Sequence, residues 1–212
     1  MSRLRRRWNR LSRPLPRSVV ATSAWDRLFQ CLELLFFCDL YEWISNYFSP
    51  SLRPLRPAEI TELRAVFGPS LPYHRIRIDE CAHLGPRRYG IVYVSFHTIN
   101  SWGPVTAALL VHEAVHVWQY VHRGALYIPR ALAAQRTREG YHYGGPTGLR
   151  KARCLDDFNY EQMATVIEDA YRLTAGLPLR YANAQHIGPE GAGLYAGFVA
   201  EIQAARMGDY NR

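Results

Sequence analysis

Leu109-Leu110-Val111-His112-Glu113-Ala114-Val115-His116-Val117-Trp118-Gln119-Tyr120 sets His-Glu-x-x-His inside an otherwise apolar run. As a helix, this stretch stacks the imidazoles of His112 and His116 on one face, because residues four apart are neighbours across a turn. Two stacked imidazoles can share one metal ion. Glu113, about 100° further round, reaches a water beside that ion rather than the ion itself. The helix is readable as well. Residues 105–122 hold no glycine or proline, Pro104 suits a first turn, and Gly124 offers a left-handed stop. Flanks that are apolar almost all round belong to a helix buried in a core. Core histidines bonded to carbonyls are the plain alternative, but the pair with Glu113 between them reads as a metal site.

A catalytic zinc takes three protein ligands and keeps one position for water. The extended pattern His-Glu-x-x-His-x-x-Gly-x-x-His fails here, since Gln119 stands where its glycine would and His122 where its last histidine would. The third ligand therefore comes from a later segment. Glu161 lies early in the strongest helical pattern downstream, which runs from Tyr160 towards Gly176 with Asp157 or Asn159 as cap. An isolated buried carboxylate is costly, whereas one bound to a cation is neutralised. Glu161 is thus the expected ligand. Glu168 and Asp169, two turns on, are alternatives for that role or for holding a ligand histidine in place.

Outward from this centre the chain divides into three parts: residues 1–22, 23–57 and 58–212. The net charge is +8, but the first 17 residues carry seven arginines and no acidic group, and all that follows sums to +1. Residues 1–22 thus read as an Arg-rich flexible tail, able to meet nucleic acid, an acidic partner or an anionic surface, or simply to stay solvated. Residues 23–47 read as one long helix, dense in Leu, Phe and Trp and expected to be buried on more than one side. Pro50, Pro54 and Pro57 punctuate a linker, after which residues 58–67 read as a short helix. Arg75-Ile76-Arg77-Ile78 and the β-branched and aromatic residues 89–96 read as strands, with Gly85-Pro86 as the turn between them. The edge of such a sheet could pair with an extended peptide.

Residues 127–138 read as a helix, 140–146 as a loop and 193–205 as a last helix. The four cysteines lack C-x-x-C spacing. Cys31 and Cys38, seven apart on one helix, are out of disulfide reach and read as small apolar core residues. The basic start is not followed by a clean apolar signal region or a cleavage site, so the chain reads as cytoplasmic in the producing cell, or as exported by a specialised system. No run is long and apolar enough for a membrane span.

Val111 to Tyr120, Gly124-Ala125-Leu126-Tyr127, and Phe158-Asn159-Tyr160-Glu161-Gln162 followed by Ala164, Val166, Ile167, Glu168 and Asp169 resemble the zinc metallopeptidase domains of bacterial type VI secretion effectors. These are glutamate-zincins, often fused to the secretion spike protein. The resemblance covers roughly residues 57–178, including Val66-Phe67-Gly68 and Arg75-Ile76-Arg77-Ile78. It implies His112, His116 and Glu161 as zinc ligands, Glu113 as general base, a protein or peptide substrate, and a secretion spike or immunity protein as partner. The chain departs from the pattern in Ala114-Val115, where a threonine before the second histidine is common, and in Tyr160, where a smaller residue is usual. The tail and the aromatic helix lie outside the match.

The expected fold is therefore α+β and zincin-like: mainly helical, with a small sheet before the motif helix and a helical N-terminal extension. The expected activity is peptide hydrolysis with Zn²⁺, an antibacterial effector being one setting. The donor for the developing oxyanion is left among Tyr141, His142, Tyr143, Tyr181, His186 and Tyr195. Two other classes remain: an inactive zincin serving as a binding module, and anionic-surface or nucleic-acid binding through the tail. The tail lacks the interleaved aromatics of a strand-binding groove, which disfavours nucleic acid.

Overall fold

The structure is a computed structural model, described for residues 23–181 and 191–206 and for positions 4, 7 and 8. Ser23 caps the first helix, α1 (Ala24–Leu34), in a reciprocal pair with Asp26. There the expected single helix over residues 23–47 breaks. Phe36 takes a left-handed conformation (φ 61°) and α2 (Phe37–Phe48) sets off anew. That conformation costs a non-glycine residue roughly 1–2 kcal/mol. Long-range anchors on either side of it hold the corner. Asp26 pairs with Arg130 at 2.5 Å, and Glu33 accepts from the Ala125 backbone. Beyond the corner, Glu42 accepts from the backbone N–H and Nδ1 of His97 at 2.7 and 2.8 Å. No glycine or proline marks the break, so local sequence hides it.

Burial on several sides does not hold either: α2 leaves Trp43, Tyr47 and Phe48 about two-thirds or more exposed. Of the two cysteines expected in the core, Cys38 is buried while Cys31 is exposed.

The segment expected to be a plain linker supplies an edge strand, β1 (Leu52–Pro54), and α3 (Pro57–Phe67) follows with proline in its first turn. β2 (Arg77–Asp79), β3 (Tyr93–Ser95) and β4 (Thr98–Asn100) complete a sheet of order β1-β2-β4-β3. β2 runs parallel to β4, and the other pairs are antiparallel. The expected β2–β3 pairing is thus replaced by insertion of β4 between them. Gly85-Pro86 sits in a π-helical turn, His83–Arg87, not in a hairpin. Arg53 staples the edge strand by binding Glu59 at 2.8 Å and Glu80 at 2.6 Å.

Thr106 caps the motif helix α4 (Ala107–Arg123), and Gly124 ends it at φ 80°. Residues 110–122 are all buried, as the apolar flanks require. The helices α5 (Tyr127–Gln135), α6 (Gly145–Lys151), α7 (Tyr160–Thr174) and α8 (Gly191–Ala204) follow. Asn159 caps α7 by accepting from the N–H groups of Glu161 and Gln162. The principal helix pair is α4 against α7, with α8 packed on α7 and with β3 and β4 against α4. Two central helices thus face each other, one bearing His112 and His116, the other Glu161 and Glu168.

Candidate metal centre

Helical stacking brings the rings of His112 and His116 to 5.3 Å, and one donor atom from each, with one from Glu161, falls within a 4.8 Å span. All three side chains are buried. Nε2 of each histidine lies 3.4 Å from Oε2 of Glu161, so three donors converge on one point between α4 and α7. This is a donor set that can hold a metal ion.

The atoms facing away from that point are fixed by neighbours. His112 Nδ1 meets Glu168 Oε2 at 3.0 Å, and because an ionised carboxylate only accepts, Nδ1 donates. His116 Nδ1 meets Gln119 Oε1 at 2.9 Å, while the Gln119 amide N–H donates to the Tyr160 carbonyl. With both Nδ1 atoms donating, the neutral rings carry their lone pairs on Nε2, where a cation would sit. The third donor is restrained too: Gln135 donates to Glu161 Oε1 at 2.7 Å, leaving Oε2 towards the histidines.

The charges are coupled. Burial opposes the imidazolium of His112, but the bonds from Glu161 and Glu168 outweigh it and lift its pKa to about 9. His116 is raised in the same way, against burial, chiefly by the charge of Glu161. Burial disfavours the Glu161 carboxylate as well, yet His116 and His112 hold its pKa well below the ordinary value. Glu113 is pushed up, first by burial. Its carboxylate takes no hydrogen bond from any described residue.

Of the two alternatives to Glu161, Glu168 holds His112, as one reading of the sequence allowed, and is itself bound by Arg172 and Arg180. Asp169 touches neither histidine. It accepts from Tyr143 at 2.8 Å and from the backbone of Arg180 at 2.7 Å, fixing the chain after α7. His122 points elsewhere, its Nε2 against the Ser70 carbonyl at 2.9 Å, so the failed extended motif is also absent in space.

The candidate oxyanion donors separate by position. The Tyr141 ring lies 6.0 Å from that of His112 and stacks on Tyr181, with the Arg180 guanidinium near both. Tyr143 and Tyr195 bond to each other at 2.6 Å in a buried network with Asp169, where burial lifts Tyr195 to about 12. His142 is exposed and accepts from Gly144 N. His186 lies outside the described residues.

Gln119 and Gln135 are the supports that sequence reasoning missed. Gln119 had a signal, being the lone uncharged polar residue three places after His116 on an apolar helix. Gln135 had none, since only the packing of α5 brings it to Glu161. Tyr127 was also missed. It accepts from Phe96 N at 3.0 Å and donates to Val94 O at 2.8 Å, tying the β3–β4 hairpin beside His116.

No protein-family model matches the chain, and no curated protein and no solved structure is significantly similar to it.

Proposed function

We propose that this chain is a zinc-dependent peptidase with a zincin-like fold, binding zinc through His112, His116 and Glu161. The observation that carries the reading is the convergence of both Nε2 atoms on Glu161 Oε2, beside a buried Glu113 that accepts no hydrogen bond among the described residues. A histidine pair with one carboxylate is a donor set that suits zinc and leaves an open position. When bound there, zinc supplies Lewis-acid polarisation of a peptide carbonyl and lowers the pKa of water towards about 7.

The chain's own groups account for the remaining steps. Glu113, made more basic by burial, accepts a proton from the attacking water and returns it to the leaving nitrogen. Burial, with Glu161 and Glu113 nearby, raises the Tyr141 hydroxyl and keeps it protonated as a donor to the developing oxyanion. β3 lies at the edge of the sheet that packs on α4, the kind of edge to which an extended substrate adds, although its Val94 carbonyl is held by Tyr127. The resemblance to secretion effectors adds an antibacterial setting, with a spike or immunity protein as partner.

The test compares wild type with Glu113→Gln for zinc content and for cleavage of casein and of bacterial periplasmic and cytosolic extracts. Equal zinc with turnover lost supports the reading; undiminished turnover by a zinc-loaded Glu113→Gln variant removes it. A second reading, a metal-stabilised binding module without turnover, draws on the uncovered aromatic face of α2 and predicts zinc in both proteins and cleavage by neither.

A further inference from the structure

The outward face of α1 and α2 combines two properties that single out one kind of partner. It is apolar: Leu35, Phe37, Leu40, Trp43, Tyr47 and Phe48 are each about half to three-quarters exposed, forming a patch over the corner and along α2. Its acidic groups are each paired or buried, Asp39 alone remaining exposed. Asp26 and Glu33 are buried against Arg130 and Ala125, Glu42 is taken by His97, and Asp39 is paired with Arg7. Arg27 is exposed on the same helices.

The pairing with Arg7 ties the arginine-rich segment to this patch. Besides binding Asp39, Arg7 donates to the Glu33 carbonyl and lies 4.2 Å over the Phe36 ring, at the corner itself. Arg3, Arg5, Arg6, Arg10, Arg13 and Arg17 are within ten residues of this anchor, with no acidic residue among them. The most positively charged segment of the chain is therefore anchored, through Arg7, at an exposed aromatic and aliphatic face.

We infer that this face docks on an anionic lipid bilayer. Such a surface offers negative headgroups beside hydrocarbon, and Trp, Tyr and Phe settle at that boundary. A polybasic segment plus an inserted apolar face makes the two-part signal that stable peripheral binding requires. A second copy of the chain would set one basic segment against another. A nucleic acid would leave Leu35 and Leu40 without partners. No helix among the described residues is long and apolar enough to cross a membrane, so the contact lies along the surface. The inference does not depend on the peptidase reading.

The test is co-sedimentation of the full chain with vesicles of phosphatidylcholine alone, or of phosphatidylcholine with phosphatidylglycerol. Tryptophan emission is read in parallel. Expected are binding to the anionic vesicles with a blue shift, at least about tenfold weaker binding to the neutral ones, and weakening by salt. Trp43→Ser with Phe48→Ser, both exposed, should lower binding about tenfold or more while far-UV circular dichroism is unchanged. Arg→Gln at positions 3, 5, 6, 10, 13 and 17 should abolish the preference for anionic lipid. Three results overturn the inference: no binding to either vesicle, equal binding by the doubly substituted chain, or a lipid-free dimer that the same double substitution dissolves.

Discussion

Nδ1 of His112 lies 3.0 Å from Oε2 of Glu168, and Glu168 is gripped in turn by Arg172 at 2.8 Å and Arg180 at 3.1 Å. The ring is thus oriented by a carboxylate that is itself oriented. Glu168→Ala frees the ring and leaves two cationic side chains without their partner. Zinc affinity, measured by chelator competition, should fall about 10–100-fold, with a smaller loss for Glu168→Gln, whose carbonyl still accepts from Nδ1. Unchanged affinity in both would show that the contact does not orient the ligand.

Tyr141 tests the assignment of the oxyanion donor. Tyr141→Phe keeps the ring stacked on Tyr181 and removes only the hydroxyl. Turnover should fall about 10²–10³-fold with zinc content unchanged. Tyr143→Phe, which removes a group already spent on Asp169 and Tyr195, should instead lower thermal stability.

Gln119 joins His116 to the backbone of α7. Gln119→Ala leaves a buried imidazole N–H without an acceptor, costing about 1–3 kcal/mol. In the metal-free protein, where ion binding cannot mask the loss, Tm should drop by about 2–12 °C. An unaltered Tm would show that the amide contributes no net stability.

Acid stability reports on the edge strand. Burial opposes the Glu59 carboxylate, but the Arg53 guanidinium outweighs it and lowers its pKa; for Glu80 the bond to Arg53 is the largest effect, also lowering. For a depressed carboxylate, the stability it contributes is present above its ordinary value of 4.5 and is lost as pH falls through the folded value. Arg53→Met should therefore move the acid-unfolding midpoint to higher pH, followed by circular dichroism. A midpoint that stays in place would show that the staple is energetically silent.

What sequence reveals of this molecule follows the range of each interaction. His112, Glu113 and His116 are legible because helical spacing alone brings them together. Glu161 is legible because Asn159 and a clean helical period place it on a buried face, where a carboxylate needs a cationic partner. β4 is not, since three residues are too few to show an alternating pattern and its pairing depends on distant β2. The break at Phe36 is hidden for the same reason: Asp26, Glu33 and Glu42 enforce it through Arg130, Ala125 and His97. The apolar density of α2 is plain in the sequence, but density does not say whether the chain itself will cover the face.

Gln135 occupies Oε1 of Glu161, so the carboxylate enters the site with a single oxygen available. On the proposed function, that grip would bias the site among ions. Calcium, which gathers six to eight oxygens and favours carboxylates that chelate through both, finds two nitrogens and one oxygen here, whereas a small borderline-soft ion content with few ligands finds its preferred company already arranged. In the proposed zinc site, a glutamine that touches only the ligand would thereby help decide which ion is preferred.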